Sequence, residues 1–297
     1  MLLKEFVSSA REQLRSLYPE KEAAALAGIL CRECLGIESY TYLIEPGREL
    51  SKKQMEKAAA ALGRLLRGEP VQYVFGFSDF YGHRFNVTPS VLIPRPETET
   101  LCREAIEFAM QLYRTRSAYG HNAAPVRILD LCTGSGCIAW TLALNVPGAE
   151  VVAVDISSDA LAVASSQPFD KAVKPHFVQA DIFDDDAMEP VLSGGFDLIV
   201  SNPPYILDSE KAQMRSNVLD YEPSLALFVP DDDSMRFNRK IAEISLKALK
   251  TDSMGIMEIN EALGDVCCRI FKDAGFGESV ILRDIFGKNR FLKYSRR

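Results

Sequence analysis

The chain is short of several residue types that mark whole functional classes. Its 297 residues contain three histidines, His83, His121 and His176, dispersed along the sequence, and none is assigned a catalytic role. The seven cysteines are odd in number, which argues against a disulfide framework. Cys31 and Cys34 fall one helical turn apart and Cys267 and Cys268 are adjacent. A Cys-x-x-Cys pair can serve redox or zinc chemistry, but no second pair or neighbouring histidine completes a zinc site. Reduced, mostly buried thiols and no metal are therefore expected. No stretch approaches the roughly 18 consecutive apolar residues of a membrane span. The opening Met1-Leu2-Leu3-Lys4-Glu5-Phe6 lacks a basic region followed by an apolar core, so no secretory signal or membrane association is expected, and the expected location is cytoplasmic.

A basic excess is also missing. The formal net charge is −7, and it is unevenly spread. Residues 1–90 carry 12 basic and 11 acidic side chains, whereas the remainder carries 22 and 30. Proteins that grip a DNA duplex draw much of their affinity from phosphate neutralisation. The acidic balance of the larger part argues against direct DNA binding, without excluding a local basic groove. The acidic runs at 184–186 and 231–233 are most simply solvated loop charges.

What is present falls into three stretches. Leu3, Phe6, Val7, Ala10, Leu14 and Leu17 recur at helical spacing, and 23–35 and 53–66 continue small and apolar residues on one face. These predict a small helical bundle over 1–70. Residues 71–93 alternate apolar and polar positions around Tyr81-Gly82, which predicts a β-hairpin linker over 71–95. From 96 to 297, short apolar runs alternate with helical patterns. Strands are expected at 126–131, 150–156, 177–183, 196–201, 255–259, 279–284 and 290–294. Helices are expected from Pro96 to about 113, then at 139–144, 236–249 and 261–274. Strand–helix alternation implies a mostly parallel sheet covered on both faces. The last two strands, joined through Gly287, would add an antiparallel edge.

Chemistry concentrates at the strand ends. Asp130-Leu131-Cys132-Thr133-Gly134-Ser135-Gly136 sits where the first strand turns into a helix. Glycines allow positive φ and close backbone approach to a ligand, and a helix N-terminus offers free amides. Such a turn also serves nucleotides, or nothing at all. Asp155, ending the second strand, occupies the place where an acid accepts hydrogen bonds from both ribose hydroxyls. Asp181 is expected to end the third strand, with Ile182 and Phe183 bracketing an adenine. Each carboxylate alone is more often a helix cap or a solvated turn, but three at the ends of successive strands point to a site. The full Gly-x-Gly-x-x-Gly dinucleotide fingerprint is missing, and adenosylmethionine, which carries no phosphate, needs only close approach.

Asn202-Pro203-Pro204-Tyr205 follows the fourth strand. Prolines there can be a plain chain stop. They also fix φ and make acceptor geometry rigid. An amide nitrogen is a poor nucleophile because its lone pair is delocalised, so a site that methylates it must hold both hydrogens and aim the nitrogen. The Asn202 side-chain oxygen and the Pro203 carbonyl can accept those two hydrogen bonds, and the Tyr205 ring can pack on the flat amide. The motif points to methylation of a planar amino or amide nitrogen.

Together with Leu92-Ile93-Pro94-Arg95-Pro96-Glu97-Thr98-Glu99, Gln72-Tyr73-Val74-Phe75-Gly76 and Tyr221-Glu222-Pro223-Ser224-Leu225-Ala226-Leu227, this motif resembles the release factor glutamine methyltransferases, the PrmC or HemK family. The resemblance implies an α/β fold: a Rossmann-like seven-stranded methyltransferase sheet with an antiparallel terminal hairpin, plus a small N-terminal helical bundle that helps dock the substrate. It implies S-adenosyl-L-methionine as methyl donor, S-adenosyl-L-homocysteine as product, and class-1 peptide chain release factors as protein substrate. The reaction it implies is N5-methylation of the glutamine in their Gly-Gly-Gln motif. On this chain, Asn202, Pro203, Pro204 and Tyr205 would hold the glutamine amide. Asp130, Cys132, Thr133, Gly134, Ser135, Gly136, Asp155, Ile156, Asp181, Ile182 and Asn202 would contact the cofactor. Arg95 and Thr98 would line its methionine end, although Pro96 also suits an ordinary helix start. Cys132 stands where such turns often begin with glycine, and the stretch at 229–234 and Glu258-Ile259-Asn260 lack expected glycines. Ribosomal-protein glutamine methylation, adenine methylation of DNA, which requires the base to leave its stack, and a catalytically inactive binding module remain the alternatives.

Overall fold

Helical spacing near the N-terminus becomes a bundle in the computed structural model, which describes residues 1–38, 40–118 and 124–296; His121 lies outside the described residues. Two units are formed, Met1–Phe77 together with Arg215–Tyr221, and Ser78–Met214 together with Glu222–Arg297.

In the first unit, α1 (Leu3–Leu14) buries Leu3, Phe6, Val7, Ala10 and Leu14, whose spacing forecast it, whereas Leu17 of the same pattern lies beyond the helix and is exposed. Helix α2 (Glu20–Leu30) runs into a π-helical turn, Cys31–Leu35, closed by Gly36 at φ 68°. Cys31 and Cys34 are both buried there, and burial raises both thiol pKa values, so they are inert core thiols at neutral pH. A short α3 (Thr41–Ile44) leads to α4 (Lys52–Leu65), whose start is capped by reciprocal Ser51 and Gln54 hydrogen bonds.

Residues Val71–Phe75, expected as a strand, form the one-and-a-half-turn helix α5 instead. Pro70 fixes the entry dihedral and its carbonyl accepts from Tyr73 and Val74, while Gly76 at φ 80° ends the turn. Arg64 of α4 then binds the exposed carbonyls of Tyr73 (3.0 Å) and Val74 (2.8 Å). The alternation of a five-residue run is too short to separate strand from buried helix.

The hairpin that follows is shorter than expected: β1 (Phe77–Phe80) and β2 (His83–Asn86) about the Tyr81-Gly82 turn. Beyond it the second unit continues through α6 (Thr98–Ala118), β3 (Arg127–Leu131), α7 (Cys137–Asn145), β4 (Glu150–Asp155) and α8 (Ser158–Ser165). Next come β5 (His176–Gln179), α9 (Asp185–Leu192), β6 (Phe196–Ser201) and β7 (Ile206–Leu207). The chain then contributes α10 (Ser216–Leu219) to the first unit, an excursion no sequence pattern announced. It resumes with β8 (Phe228–Val229), α11 (Arg236–Ala248), β9 (Leu249–Glu258), α12 (Gly264–Asp273), β10 (Glu278–Arg283) and β11 (Asn289–Arg296).

Seven strands form one sheet in the order β10-β11-β9-β6-β3-β4-β5. Strands β9, β6, β3, β4 and β5 are parallel, and β11 is antiparallel to both its neighbours. The terminal hairpin therefore sits at one edge of the sheet, as expected, and joins it antiparallel through β11. Its second strand inserts beside β9, leaving β10 at the edge and parallel to the rest. All six residues of β6 are buried, as a strand covered on both faces requires. One face packs the β1–β2 hairpin, α6 and α7 around Phe80, Phe85, Leu101 and Trp140. The other packs α9, α11 and α12 around Met188, Ile241, Phe271 and Tyr294. Each large side chain so buried contributes about 1.5–3 kcal/mol. Among the described residues, no helix is long and apolar enough to cross a membrane.

Asp197, near the start of β6, pins three segments. Its carboxylate accepts two bonds from Arg116 of α6 (2.7 and 2.9 Å), one from the Arg127 amide (2.8 Å) and one from Lys250 (3.0 Å). Burial alone would raise its pKa, but these donors hold it below the ordinary carboxylate range. A depressed folded-state pKa gives stability that is present at neutral pH and lost as pH falls through that pKa. Arg116→Ala is expected to cost about 2–3 kcal/mol at pH 7, with Lys250 limiting the loss. The gap from wild type should narrow below about pH 4, where unfolded carboxylates protonate. Urea unfolding at the two pH values checks this, and an equal gap at both would contradict it.

Candidate active site

The turn after β3 is built from residues that tolerate left-handed backbone. Cys132, Gly134 and Gly136 have φ of 61°, 55° and 77°. For Cys132, which has a side chain, that conformation costs on the order of 1 kcal/mol or more. The turn is held from both sides: the Thr133 amide donates to the Val154 carbonyl (3.0 Å), and the Gly134 amide to Asp155 Oδ2 (2.8 Å). Gly136 caps α7 and presses against α8; a Cβ there would lie 3.0 Å from the Ala164 Cβ. At Gly134 a Cβ would meet no atom within 4 Å, because this residue faces an open cleft.

That cleft, of about 270 Å³, lies at the carboxyl ends of the parallel strands, where open α/β sheets bind ligands. Of the residues singled out from sequence, Cys132, Thr133, Gly134 and Ser135 line it from the turn. Asp155 and Ile156 line it from β4, and Asp181 and Ile182 from beyond β5. Arg95 and Thr98 contribute from the start of α6, and Asn202 and Pro204 from the loop after β6. Asp130, Gly136, Pro203 and Tyr205 are not on its wall.

Asp130 sits behind the turn. It is fully buried; Oδ2 accepts from the Thr133 hydroxyl (2.6 Å) and Oδ1 has no hydrogen-bond partner. Burial pushes its pKa up to about 7, against the pull of Thr133. Its place is structural support for the turn rather than a contact surface. Asp181 does not end a strand: β5 stops at Gln179, where pairing with Asp155 ends. The Asp181 carboxylate instead accepts from the Phe183 amide (2.9 Å), turning the chain toward α9.

Asp155 is the best-defined polar group on the cleft. Oδ2 accepts from Gly134 and Oδ1 from the Ser157 amide (2.9 Å). Each oxygen retains a second lone pair, so both can still accept hydroxyl donors. Burial raises its pKa, and the amides of Ser157 and Gly134 oppose the rise. Across the cleft, Glu222 is buried and accepts from the Ile93 amide (3.1 Å) and Arg95 (2.6 Å), fixing the wall that carries Arg95 and Thr98. Sequence reasoning missed Arg236 and Phe237 of α11. Phe237 meets Phe183 edge-on at 5.2 Å, and the Arg236 guanidinium lies 4.5 Å over the Phe183 ring. Nothing in a helix-forming stretch signals that its first turn closes a cleft formed by distant strands.

The loop after β6 is fixed from several sides. The Ser201 hydroxyl donates to the Leu131 carbonyl (2.8 Å) and the Ile206 amide to the Leu227 carbonyl (3.0 Å). The Asn260 side-chain amide bridges the Tyr205 carbonyl (3.3 Å) and Glu210 (2.9 Å). The Tyr205 hydroxyl donates to Glu258 Oε2 at 3.3 Å, and burial with the adjacent Glu258 drives the phenol pKa upward.

Residues 5–76 match the PrmC N-terminal domain, and residues 119–220 match the methyltransferase small domain. The release factor glutamine methyltransferase of Bacteroides thetaiotaomicron is 37% identical over 96% of this chain and 97% of its own length. That of Flavobacterium psychrophilum is 34% identical over the whole of both chains. The chain belongs to the release factor glutamine methyltransferase family. The hMettl16 catalytic domain in complex with a 3'UTR hairpin matches with a TM-score of 0.54 at 14% identity, over 85% of this chain and 86% of that one. At that distance the likeness is one of fold. Membership of a methyltransferase family implies S-adenosylmethionine as the methyl source. The cleft suits a phosphate-free nucleoside: an open glycine face at Gly134, an acceptor carboxylate at Asp155, and apolar walls from Ile156, Ile182 and Phe183.

The two turn glycines predict different failures. Gly134→Ala adds backbone strain of about 1 kcal/mol and a methyl group in the cleft. Gly136→Ala adds the same strain plus a clash with α8, for a loss of about 2–4 kcal/mol. Thermal unfolding of both variants distinguishes them; equal losses would contradict the packing described.

Proposed function

We propose that this protein transfers the methyl group of S-adenosylmethionine to the side-chain amide nitrogen of a glutamine, the one in the Gly-Gly-Gln motif of class-1 peptide chain release factors. The observation that carries this reading is the rigid Asn202-Pro203-Pro204-Tyr205 loop on a cleft whose far side presents Asp155. The substrate class comes from the relatives that align over nearly their whole length, which are release factor glutamine methyltransferases.

Within this reading Asp155 accepts the ribose hydroxyls, and Ile156, Ile182 and Phe183 pack on the adenine. Arg95 and Thr98 border the opposite end of the cleft. Bound there, S-adenosylmethionine supplies an electrophilic sulfonium methyl group. The Asn202 side-chain oxygen and the Pro203 carbonyl accept the two hydrogens of the substrate amide, which aims its nitrogen into the cleft. The Tyr205 ring packs beside the planar amide. The prolines keep both acceptors from relaxing, and such alignment contributes to rate without any change in the nucleophile's intrinsic strength. No side chain has to remove a proton before transfer, because the nitrogen becomes acidic only once it has been methylated.

The test is methyl transfer from labelled S-adenosylmethionine to a purified release factor, its Gln→Ala variant in the Gly-Gly-Gln motif, a ribosomal-protein mixture and duplex DNA. Label on the intact release factor alone is expected. Label on ribosomal protein or DNA instead would replace the substrate and leave the fold and cofactor standing. Asn202→Ala should lower transfer by at least about 100-fold while the cofactor Kd moves less than about threefold. Asp155→Ala should raise the cofactor Kd by roughly 10- to 100-fold, the loss of hydrogen bonds to a charged group. Reversal of these two phenotypes would overturn the division of roles.

A further inference from the structure

Behind the loop that carries Asn202 lies a buried carboxyl group with no part in the chemistry above. Glu258 is the last residue of β9, 1% exposed, and lies opposite Phe291 of β11 in the register. Its Oε1 accepts from the Thr98 hydroxyl, and its Oε2 from the Tyr205 hydroxyl at 3.3 Å. Thr98 lines the cleft from α6, and Tyr205 closes the Asn-Pro-Pro-Tyr loop. One side chain thus joins the cofactor-side wall to the substrate-side loop.

We infer that Glu258 is a positioning residue that sets the Tyr205 ring against the substrate amide and fixes Thr98 on the cleft wall through the same carboxylate. The inference deepens the function proposed above and rests on it. The ionised form suits the task, because both oxygens then act as acceptors toward two hydroxyls. Protonation turns one oxygen into a donor, so one of the two ties must reverse and loses the strength of a charge-assisted bond.

The surroundings make that switch a neutral-pH event. Glu97 faces Glu258 from just before α6, Cys102 from α6, Cys137 from α7, Tyr205 from the loop and Arg290 from β11. Arg290 is shared with Asp284 (3.2 Å) and Glu261 (3.5 Å), so its charge only partly compensates. Burial raises the Glu258 pKa to about 7, while Thr98, Arg290 and Tyr205 pull against it. Because the pKa is raised, the neutral acid is favoured below that value, and the double tie forms as pH rises through it. Asp130 is raised to a similar value, so a pH limb by itself cannot be assigned to either group.

A double-mutant cycle separates them. Wild type, Glu258→Gln, Tyr205→Phe and the double variant are compared for kcat, KM for the release factor, cofactor Kd and Tm. Glu258→Gln is expected to lower kcat about 10- to 100-fold, the penalty of a misplaced reacting group, and to raise the cofactor Kd about two- to fivefold through the loosened Thr98, with Tm nearly unchanged. In the Tyr205→Phe background the same substitution should cost less than about twofold, because coupled residues are non-additive. Equal fold-losses in both backgrounds, or a loss confined to Tm, would overturn the proposal.

A second readout needs no turnover. In protein labelled with carbon-13 at tyrosine Cζ, the Tyr205 resonance, assigned through Tyr205→Phe, should move with a midpoint near pH 7 in wild type and stay flat in Glu258→Gln. A wild-type signal that does not titrate would overturn the tie. A titrating signal in a protein that leaves the release factor unmethylated would uphold the tie and overturn the glutamine reading.

Discussion

A carboxylate removed from water must find donors for its oxygens, and that constraint organises the carboxyl edge of this sheet. An unpaired buried charge costs several kcal/mol, so each buried acid here gathers segments that are remote in sequence. Glu222 joins residues 129 positions apart through the Ile93 amide, and Glu258 joins residues 160 apart through Thr98. Asp155 joins the turn after β3 to the start of α8. At the opposite, amino edge Asp197 does the same for α6, β3 and β9 through Arg116, Arg127 and Lys250. The loops that form the cleft have little regular structure of their own, and Glu222, Glu258 and Asp155 supply the fixed points that they lack.

Glu258 and Asp130 are both pushed up to about 7, and Asp130 has the fewer donors. One of its oxygens has the Thr133 hydroxyl and the other has none, and its pKa rises to about 7. Asp155 lies among charged neighbours that raise it further. A group in that position can shed its charge instead of collecting donors. Burial thus sorts the acids into those that staple loops as anions and those poised to be neutral.

Much of this was legible in the sequence, for physical reasons that differ residue by residue. Asp155 and the Gly134 turn follow from strand period and glycine placement, because their function depends on local backbone geometry. The Asn202-Pro203-Pro204-Tyr205 loop is legible because two prolines after an apolar strand leave few conformations. Helix α5 was misread because five alternating residues fit either period, and Pro70 and Gly76, not the alternation, decided the outcome. Asp181 was misplaced because pairing along β5 stops two residues earlier. The placing of β11 inside the sheet is a tertiary choice that a hairpin pattern leaves open. Glu258, Glu222 and Arg236 matter through partners from other segments, and no local pattern encodes a partner fifty or more residues away.

The same distinction bears on what the cleft can recognise. Two arginines line it, which could suggest a phosphate-bearing ligand. Yet Arg95 is bound by Glu222 at 2.6 Å, and Arg236 lies over the Phe183 ring. Asp155 and Asp181 stand on the same wall. A carboxylate facing a phosphate is unfavourable, whereas a carboxylate facing two hydroxyls is an ordinary acceptor. The charge balance of residues 91–297, 22 basic against 30 acidic, extends the bias beyond the cleft. A neutral amide presented by a protein loop meets no electrostatic penalty at such a surface, and a polyphosphate backbone does. In the function proposed above the Asn-Pro-Pro-Tyr loop holds a planar nitrogen, and the surrounding field favours a glutamine side-chain amide over a nucleic-acid base.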